Sequence, residues 1–394
     1  MFYQLPPVGN PICLSRTDQP ESLFQVFGNA YQTHYFASGT AALAAAITAA
    51  IRLKPVARPE VILPAYGCPD LISAAIFAGA KPVLVDIEAD RPWMDLEQLP
   101  AKISANTVAI IAVNLFGISE RLEQLHSLAV QAEALLIEDS AQAFPSGNEN
   151  DIWQGDLVVL SFGRGKPVSL LGGGAVLYNK ENSRNSELAR LLPEGTRQAE
   201  ASIQKQIAFW FKASLYNWMI KPRLYWLPLS LPFLHLGETH YHPLSSLEGM
   251  DRIKTLLLPS NVNAYQYNTM SAQKKLSMIL DEQNFEGCGL VDLPRACKIP
   301  EAKRLLRYPL LVEPEARDQL YARLQRLGLG PSRMYPKALP EISGLEALLS
   351  DQGSFPAATS FAERMLTLPT HSHVRHTDIE KIRQVIQSVR NKGV

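Results

Sequence analysis

Leu157-Val158-Val159-Leu160-Ser161-Phe162-Gly163-Arg164-Gly165-Lys166-Pro167 joins a short apolar run to a lysine set among glycines, and Gly172-Gly173-Gly174 follows shortly after. The run Leu157 to Phe162 is almost continuously apolar, as a strand buried on both faces should be. Glycines let backbone approach a ligand closely and adopt dihedrals that other residues avoid. A lysine held there, partly out of water and near other cations, loses its proton more easily, and the free amine is a nucleophile. The spacing G-x-x-x-x-G-K-S or T is absent, so this is not a nucleotide P-loop.

Working outward, the preceding apolar run Ala134 to Glu138 leads into Asp139-Ser140-Ala141-Gln142. An acidic residue at the carboxyl end of a sheet strand stands where ligands bind in open α/β sheets. A buried carboxylate there would keep a pyridine-type ring nitrogen protonated, the condition for that ring to accept electrons. A helix cap or a loop ion pair explains Asp139 equally well. Further upstream, Ser38-Gly39-Thr40 opens a helix predicted from Ala41 to Arg52. Free amides and two hydroxyls at the positive end of a helix dipole suit a phosphate, although an ordinary N-cap is the commoner meaning of so short a motif. The order of these features is more informative than any one of them: a phosphate cup, then a carboxylate, then Ser161 and Lys166.

Around these motifs the first half alternates strand and helix patterns. Strands are expected at Glu60 to Leu63, Pro82 to Asp86, Thr107 to Asn114, Ala134 to Glu138, Leu157 to Phe162 and Gly174 to Tyr178. Leu43, Ala46, Ile47, Ala50 and Ile51, and again Leu122, Leu125, Leu128 and Ala129, recur at helical spacing. The fold class is therefore α/β, with a mostly parallel sheet sandwiched by helices. We expect a large domain over 1–265, with an aromatic and proline-rich insertion at about 205–245, and a smaller C-terminal α/β domain over 266–394. The latter carries a strand near Tyr308 to Val312 and helices at Glu315 to Leu327 and Asp378 to Val389.

Composition narrows the function classes. Lysine plus arginine and aspartate plus glutamate both total 38, so no global field favours nucleic acid, and small-molecule partners are expected. Cys13, Cys68, Cys288 and Cys297 form neither a C-x-x-C pair nor a compact framework, which points away from structural zinc and secreted disulfide scaffolds and toward a reducing cytoplasm. The N-terminus lacks the basic-then-apolar pattern of a signal peptide, and the apolar passage Ile207 to Leu236 is broken by charges and prolines, so no spanning segment is expected.

Taken together, Ser38 to Leu43, Val61 to Pro64, Gly79 to Val83 with Asp86, Asn114 to Gly117, Ile137 to Gln142 and Ser161 to Gly174 resemble the DegT/DnrJ/StrS-type sugar aminotransferases, fold type I enzymes of the aspartate-aminotransferase kind. The resemblance covers most of the chain, and Leu366 to His373 is similar to the family's Leu-Pro segment before the last helix. It implies the cofactor pyridoxal 5'-phosphate, with Lys166 as its Schiff-base lysine, Asp139 paired with the ring nitrogen and Gln142 beside the ring. Ser38, Gly39, Thr40 and Ser161 would hold the phosphate. It further implies a homodimer that moves an amino group from glutamate to a nucleotide-linked keto sugar in amino-sugar or polysaccharide biosynthesis. Asn114, Arg164 and His371 are candidates to touch substrate.

The chain departs from the family pattern in three places. Cys68 stands where the family places an aromatic that stacks on the ring, and Tyr66 is the nearby candidate to replace it, with packing at a strand end as the plain alternative. Gly163-Arg164-Gly165 precedes the lysine, and Arg164 suits a substrate carboxylate or a structural ion pair. Phe209 to Pro243 replaces the stretch with which the family reaches its partner's site. Its Trp210, Phe211, Trp218, Tyr225 and Trp226 suit a subunit interface better than a bilayer surface. A sugar dehydratase of this fold would carry His in place of Lys166, and a regulatory protein would have no need of Lys166, Asp139 and Ser161 together.

Overall fold

The computed structural model describes residues 3–16, 27, 30–145, 153–181, 185–195, 203–231, 239–282 and 289–390. Cys288 and residues 232–238 of the expected insertion lie outside them.

The strands of the main sheet are β1 (Tyr31–Phe36), β2 (Glu60–Pro64), β3 (Lys81–Val85), β4 (Thr107–Val113), β5 (Leu135–Asp139), β6 (Leu157–Ser161) and β7 (Gly174–Asn179). They lie in the order β1-β7-β6-β5-β4-β2-β3. β3, β2, β4, β5 and β6 run parallel, while β7 is antiparallel to β6 and β1 antiparallel to β7. All six strands expected from apolar runs are present, within a residue or two at each end. β1 is a seventh that the apolar-run criterion passes over. It is an edge strand, Tyr-Gln-Thr-His-Tyr-Phe, of which only Phe36 is fully buried, so its sequence shows no continuous apolar signal. β4, Thr-Val-Ala-Ile-Ile-Ala-Val, is buried along its whole length, as a strand covered on both faces must be.

Helix α1 (Gly39–Leu53) packs on this sheet, with Ala41 to Ile47, Ala49 and Ala50 all buried. Alanine has the highest helix propensity and no bulk beyond Cβ, so this helix lies close to β6 and β7 while Leu43 and Ile47 fill the space between. Burying each of these two larger side chains contributes about 1.5–3 kcal/mol. α2 (Asp70–Phe77) and α3 (Leu122–Gln131) follow β2 and β4. After β7 come α4 (Asn185–Leu191) and α5 (Ile203–Met219), which occupies the insertion. α6 (Arg252–Tyr267) and α7 (Ser271–Glu282) follow.

The C-terminal part is a three-stranded antiparallel sheet in the order β10-β9-β8, built from β8 (Leu290–Asp292), β9 (Arg307–Val312) and β10 (Met365–Pro369). Helices α8 (Pro314–Arg326), α9 (Pro356–Arg364) and α10 (His376–Arg390) accompany it. Asp86, just beyond β3, fastens this part to the main sheet: Oδ2 accepts from the Ala357 amide (3.0 Å) and Oδ1 from Ala358 (2.8 Å), satisfying the first turn of α9. Among the described residues no helix is long and apolar enough to cross a membrane.

Candidate active site

A cavity of about 260 Å³ opens at the carboxyl ends of the parallel strands, where ligands bind in sheets of this kind. Ser38, Gly39 and Thr40 line one side, Asp139 and Gln142 the floor, and Lys166 with Arg164 the loop that follows β6.

The cup at the start of α1 is built by backbone contact. Ser38 has extended φ and ψ, and its Oγ accepts from the Ala41 amide at 3.1 Å, so it is a true N-cap. The Gly39 and Thr40 amides, in the first turn, have no carbonyl one turn behind them to bond. A Cβ added at Gly39 would fall 2.6 Å from the Ser161 Cβ, and one added at Gly174 would fall 2.4 Å from the Ser38 carbonyl oxygen. Glycine at both places lets the helix start sit directly against β6 and β7. The Gly173 amide donates to the Ala37 carbonyl at 2.7 Å, with φ of +139° at Gly172 and +110° at Gly173. Side chains rarely adopt such φ values, which explains this part of the glycine cluster.

Asp139 closes β5, and one of its carboxylate oxygens, Oδ1, accepts from the Ala141 amide at 2.9 Å. Burial raises its pKa, opposed by that amide and by the positive charge of Lys166. Its neighbour Glu138 points into a different network, accepting from Asn114 Nδ2 (2.9 Å), the Ser140 hydroxyl (3.1 Å) and the amides of Gln154 (2.9 Å) and Gly155 (3.1 Å). Strand alternation assigns the two acids different tasks: Glu138 ties loops together, and Asp139 faces the cavity.

The other expected residues divide. Asn114 lines the cavity, but its amide group is committed: Nδ2 donates to Glu138 and Ser140, and Oδ1 accepts from the Glu120 amide. Gln142 is buried, accepting from the Phe116 amide (3.0 Å) and donating to the Tyr335 hydroxyl (3.0 Å). Arg164 is exposed at the rim. Tyr66 is fully buried behind the wall, edge-on to Tyr335 and Phe361, with its hydroxyl donating to the Tyr335 carbonyl at 3.1 Å, and is not among the lining residues. His371 lies away from this cavity beside a smaller one: its Nε2 meets the Pro6 carbonyl at 2.8 Å, and its Nδ1 accepts from the His373 amide at 3.3 Å.

Two titratable lining residues were not anticipated, Tyr335 and Asp70. Tyr335 sits in Met334-Tyr335-Pro336, a loop with no periodicity to mark it, and reaches the cavity only because the following turn docks on the main sheet through the Leu339 amide to the Ala65 carbonyl (2.8 Å). Its hydroxyl meets Cys68, whose thiol is pushed up to about 12, chiefly by burial and then by the charge of Asp70. That thiol is neutral at physiological pH.

Helix-start amides behind a cradle that a Cβ would fill, a buried carboxylate, and a lysine on a glycine-rich loop fit the phosphate, the ring nitrogen and the aldehyde carbon of pyridoxal phosphate. The fold is that of a fold type I aminotransferase. The chain belongs to the DegT/DnrJ/EryC1/StrS aminotransferase family, whose model matches residues 16–213 and 262–390. The unmatched stretch, 214–261, falls largely in the expected insertion. As a member of that family it is a pyridoxal-phosphate-dependent aminotransferase.

Among its relatives, a UDP-N-acetyl-3-dehydro-alpha-D-glucosamine 3-aminotransferase of Acidithiobacillus ferrooxidans is 26% identical over 315 residues, 73% of this chain and 81% of that protein. A dTDP-4-amino-4,6-dideoxy-D-glucose transaminase of Shigella dysenteriae is 23% identical over 90% of this chain and 85% of its own length. Of solved structures, the PLP form of the sugar aminotransferase Spr1654 from Streptococcus pneumoniae superposes with a TM-score of 0.67 at 21% identity, covering 100% of both chains.

Proposed function

We propose that this chain transfers an amino group from an amino-acid donor, glutamate, to a keto sugar carried on a nucleotide, acting as a homodimer in the cytoplasm. The observation that carries this reading is the convergence of Lys166, Asp139 and the Ser38 to Thr40 cup on one cavity, from three separate parts of the sequence. Support for the acceptor comes from the relatives, whose names specify UDP- and dTDP-linked sugars. The free thiols of Cys13, Cys68 and Cys297 are in keeping with a reducing compartment.

When bound, pyridoxal phosphate supplies an electron sink for the carbon that gains or loses the amino group. In this assignment Gly39 and Thr40 amides, with the Ser38 and Ser161 hydroxyls, hold the phosphate, and Asp139 keeps the ring nitrogen protonated. Lys166 would anchor the cofactor, and its free amine would carry a proton to and from the reacting carbon. Gln142 fixes the Phe116 turn and Tyr335 against the same cavity. Arg164 at the rim is placed to meet the charged part of an entering substrate. We assign Tyr66, Asn114 and His371 supporting positions, since their polar atoms are held by neighbours. The small C-terminal domain beginning near 266 completes the site through Tyr335.

An absorbance spectrum with added pyridoxal phosphate, recorded before and after glutamate beside a Lys166→Ala variant, tests the reading. A band near the visible edge that needs Lys166 and fades with glutamate is expected. A Lys166-dependent band that glutamate leaves unmoved would keep the cofactor and reject the donor.

A further inference from the structure

Among the described residues, large exposed apolar side chains concentrate in one stretch: Ile203, Ile207, Phe211, Leu215 and Trp218 on α5, then Leu229 shortly after it. The five on α5 recur every three or four residues, so they form one stripe along the helix. Another face of the same helix holds it to the body of the protein. Ala213 is buried in the core with Phe209, Trp210 and Tyr216 packed against it, and Asn217 clasps the backbone of Ile12, accepting from its amide at 2.7 Å and donating to its carbonyl at 2.8 Å. The stripe faces outward because α5 is docked by its other side.

Charge accompanies the stripe in one sign only. Lys212 stands three residues before Leu215 and so beside it on the helix surface, Lys221 donates its amide to the Trp218 carbonyl at 3.3 Å, and Arg223 follows; all three are exposed. Arg16 lies over the Trp210 ring, 5.0 Å from its centre. No acidic residue occurs from 203 to 231, although the whole chain carries 38 charges of each sign. A second copy pairing through this stripe about a two-fold axis would set the surface against itself, cations opposite cations, with no carboxylate in the segment to separate them. Leu215, Trp218, Lys221 and Arg223 also lie in 214–261, the stretch that the family model leaves unmatched, so they are no part of an interface common to the family. Nor does α5 cross a bilayer: it is 17 residues long and Lys212 interrupts it.

We propose that the outward stripe of α5 is a docking surface for an anionic phospholipid bilayer, in whose surface plane the helix lies. Phe211, Leu215 and Trp218 enter the boundary between headgroups and acyl chains, while Lys212, Lys221 and Arg223 meet the phosphates. An apolar face flanked by cations, with aromatic side chains at its edge, matches a surface that is apolar within and negative at its rim. The outward stripe and its uniform charge thus reverse the expectation of a subunit interface for this passage. Cytoplasmic leaflets carry the anionic lipids, so docking there agrees with the compartment proposed above and holds whatever reaction the cavity supports.

The test is flotation of the full chain with vesicles of phosphatidylcholine alone or of phosphatidylcholine with phosphatidylglycerol, for the wild type and two double variants. The wild type is expected to float with the anionic vesicles, to stay behind with the neutral ones, and to be released by high salt. Phe211→Ser with Trp218→Ser should weaken binding to the anionic vesicles by at least about tenfold. Lys212→Glu with Arg223→Glu should weaken it by about 25-fold or more, at about fivefold for each cation removed. Both variants should keep the wild-type thermal midpoint and sedimentation, because these side chains project from the surface. A wild type that ignores both kinds of vesicle, or binds them equally, would overturn the proposal. So would binding that survives both pairs of substitutions, or a dimer that comes apart in Phe211→Ser with Trp218→Ser, for the stripe would then belong to a second copy.

Discussion

The cup formed by Ser38 to Thr40, Ser161 and Gly172 to Gly174 and the helix Ile203–Met219 answer the same question in opposite ways: what do the side chains, or their absence, face? In the cup, missing side chains are explained by atoms already there, since a Cβ at Gly39 would meet Ser161 and one at Gly174 would meet the Ser38 carbonyl. In α5, five large side chains stay exposed among the described residues: Ile203, Ile207, Phe211, Leu215 and Trp218, Phe211 by 68%, while Ala213 is the buried residue of the helix. Close backbone approach leaves a signature in sequence that points inward to a ligand. An apolar stripe records only that something covers it, and only the charges beside it, Lys212, Lys221 and Arg223 with no acidic residue from 203 to 231, point to the kind of cover.

The contrast can be broken most sharply at the cup's catalytic end. Lys166→Ala should lower transamination by on the order of 10⁴-fold or more while leaving circular dichroism and thermal midpoint unchanged, because it removes both the anchor and the proton carrier. Asp139→Asn keeps the shape and removes the charge, so turnover should fall by roughly 10²–10³-fold, comparable to deleting one preorganised electrostatic partner. If Asp139→Asn keeps full activity, the carboxylate does not face a cationic ring.

Outside the cup, His371 offers a fold-level test. Burial holds its pKa down to about 4, and its Nδ1 already accepts a hydrogen bond, which requires the neutral ring. The unfolded histidine titrates near about 6.5 and binds a proton that the folded one refuses. Its contribution is therefore complete above about pH 6.5 and declines as pH falls toward 4. That window is worth on the order of 3 kcal/mol, and His371→Asn should flatten this part of the stability curve in denaturant titrations between pH 4 and 7.

Smaller effects sharpen the same comparison. Gly39→Ala places a methyl 2.6 Å from Ser161, so about 1–3 kcal/mol of stability should be lost, together with affinity for pyridoxal phosphate, measured by titrating the cofactor band. Ile207→Ser with Phe211→Ser should change the folding free energy of a single chain by less than about 0.5 kcal/mol, because neither residue packs on the core. A large loss in that double variant, followed by denaturation at several protein concentrations, would show that a second molecule completes the fold there.

How much was legible in sequence follows from the same physics. Buried parallel strands announce themselves as apolar runs, so β2 to β7 were readable, whereas β1, half covered and rich in Tyr and His, was not. Asp139, Ser161 and Lys166 were readable because each follows or ends such a strand and neighbours residues chosen for backbone reasons. Tyr335 was hidden because its place depends on how the small sheet docks, through Leu306 to Phe116 and Leu339 to Ala65, contacts that no local pattern encodes. Tyr66 shows the opposite limit. Its position in sequence nominated it for the ring, yet its hydroxyl is tied to the Tyr335 backbone behind the cavity wall.

The most direct test of the central claim is to add pyridoxal phosphate, reduce with borohydride, and locate the modified residue by peptide mass spectrometry. The account predicts one phosphopyridoxyl group per chain, on the peptide containing Lys166 and lost in Lys166→Ala. Modification of another lysine, such as Lys254 near Gly172, or of none, would contradict it.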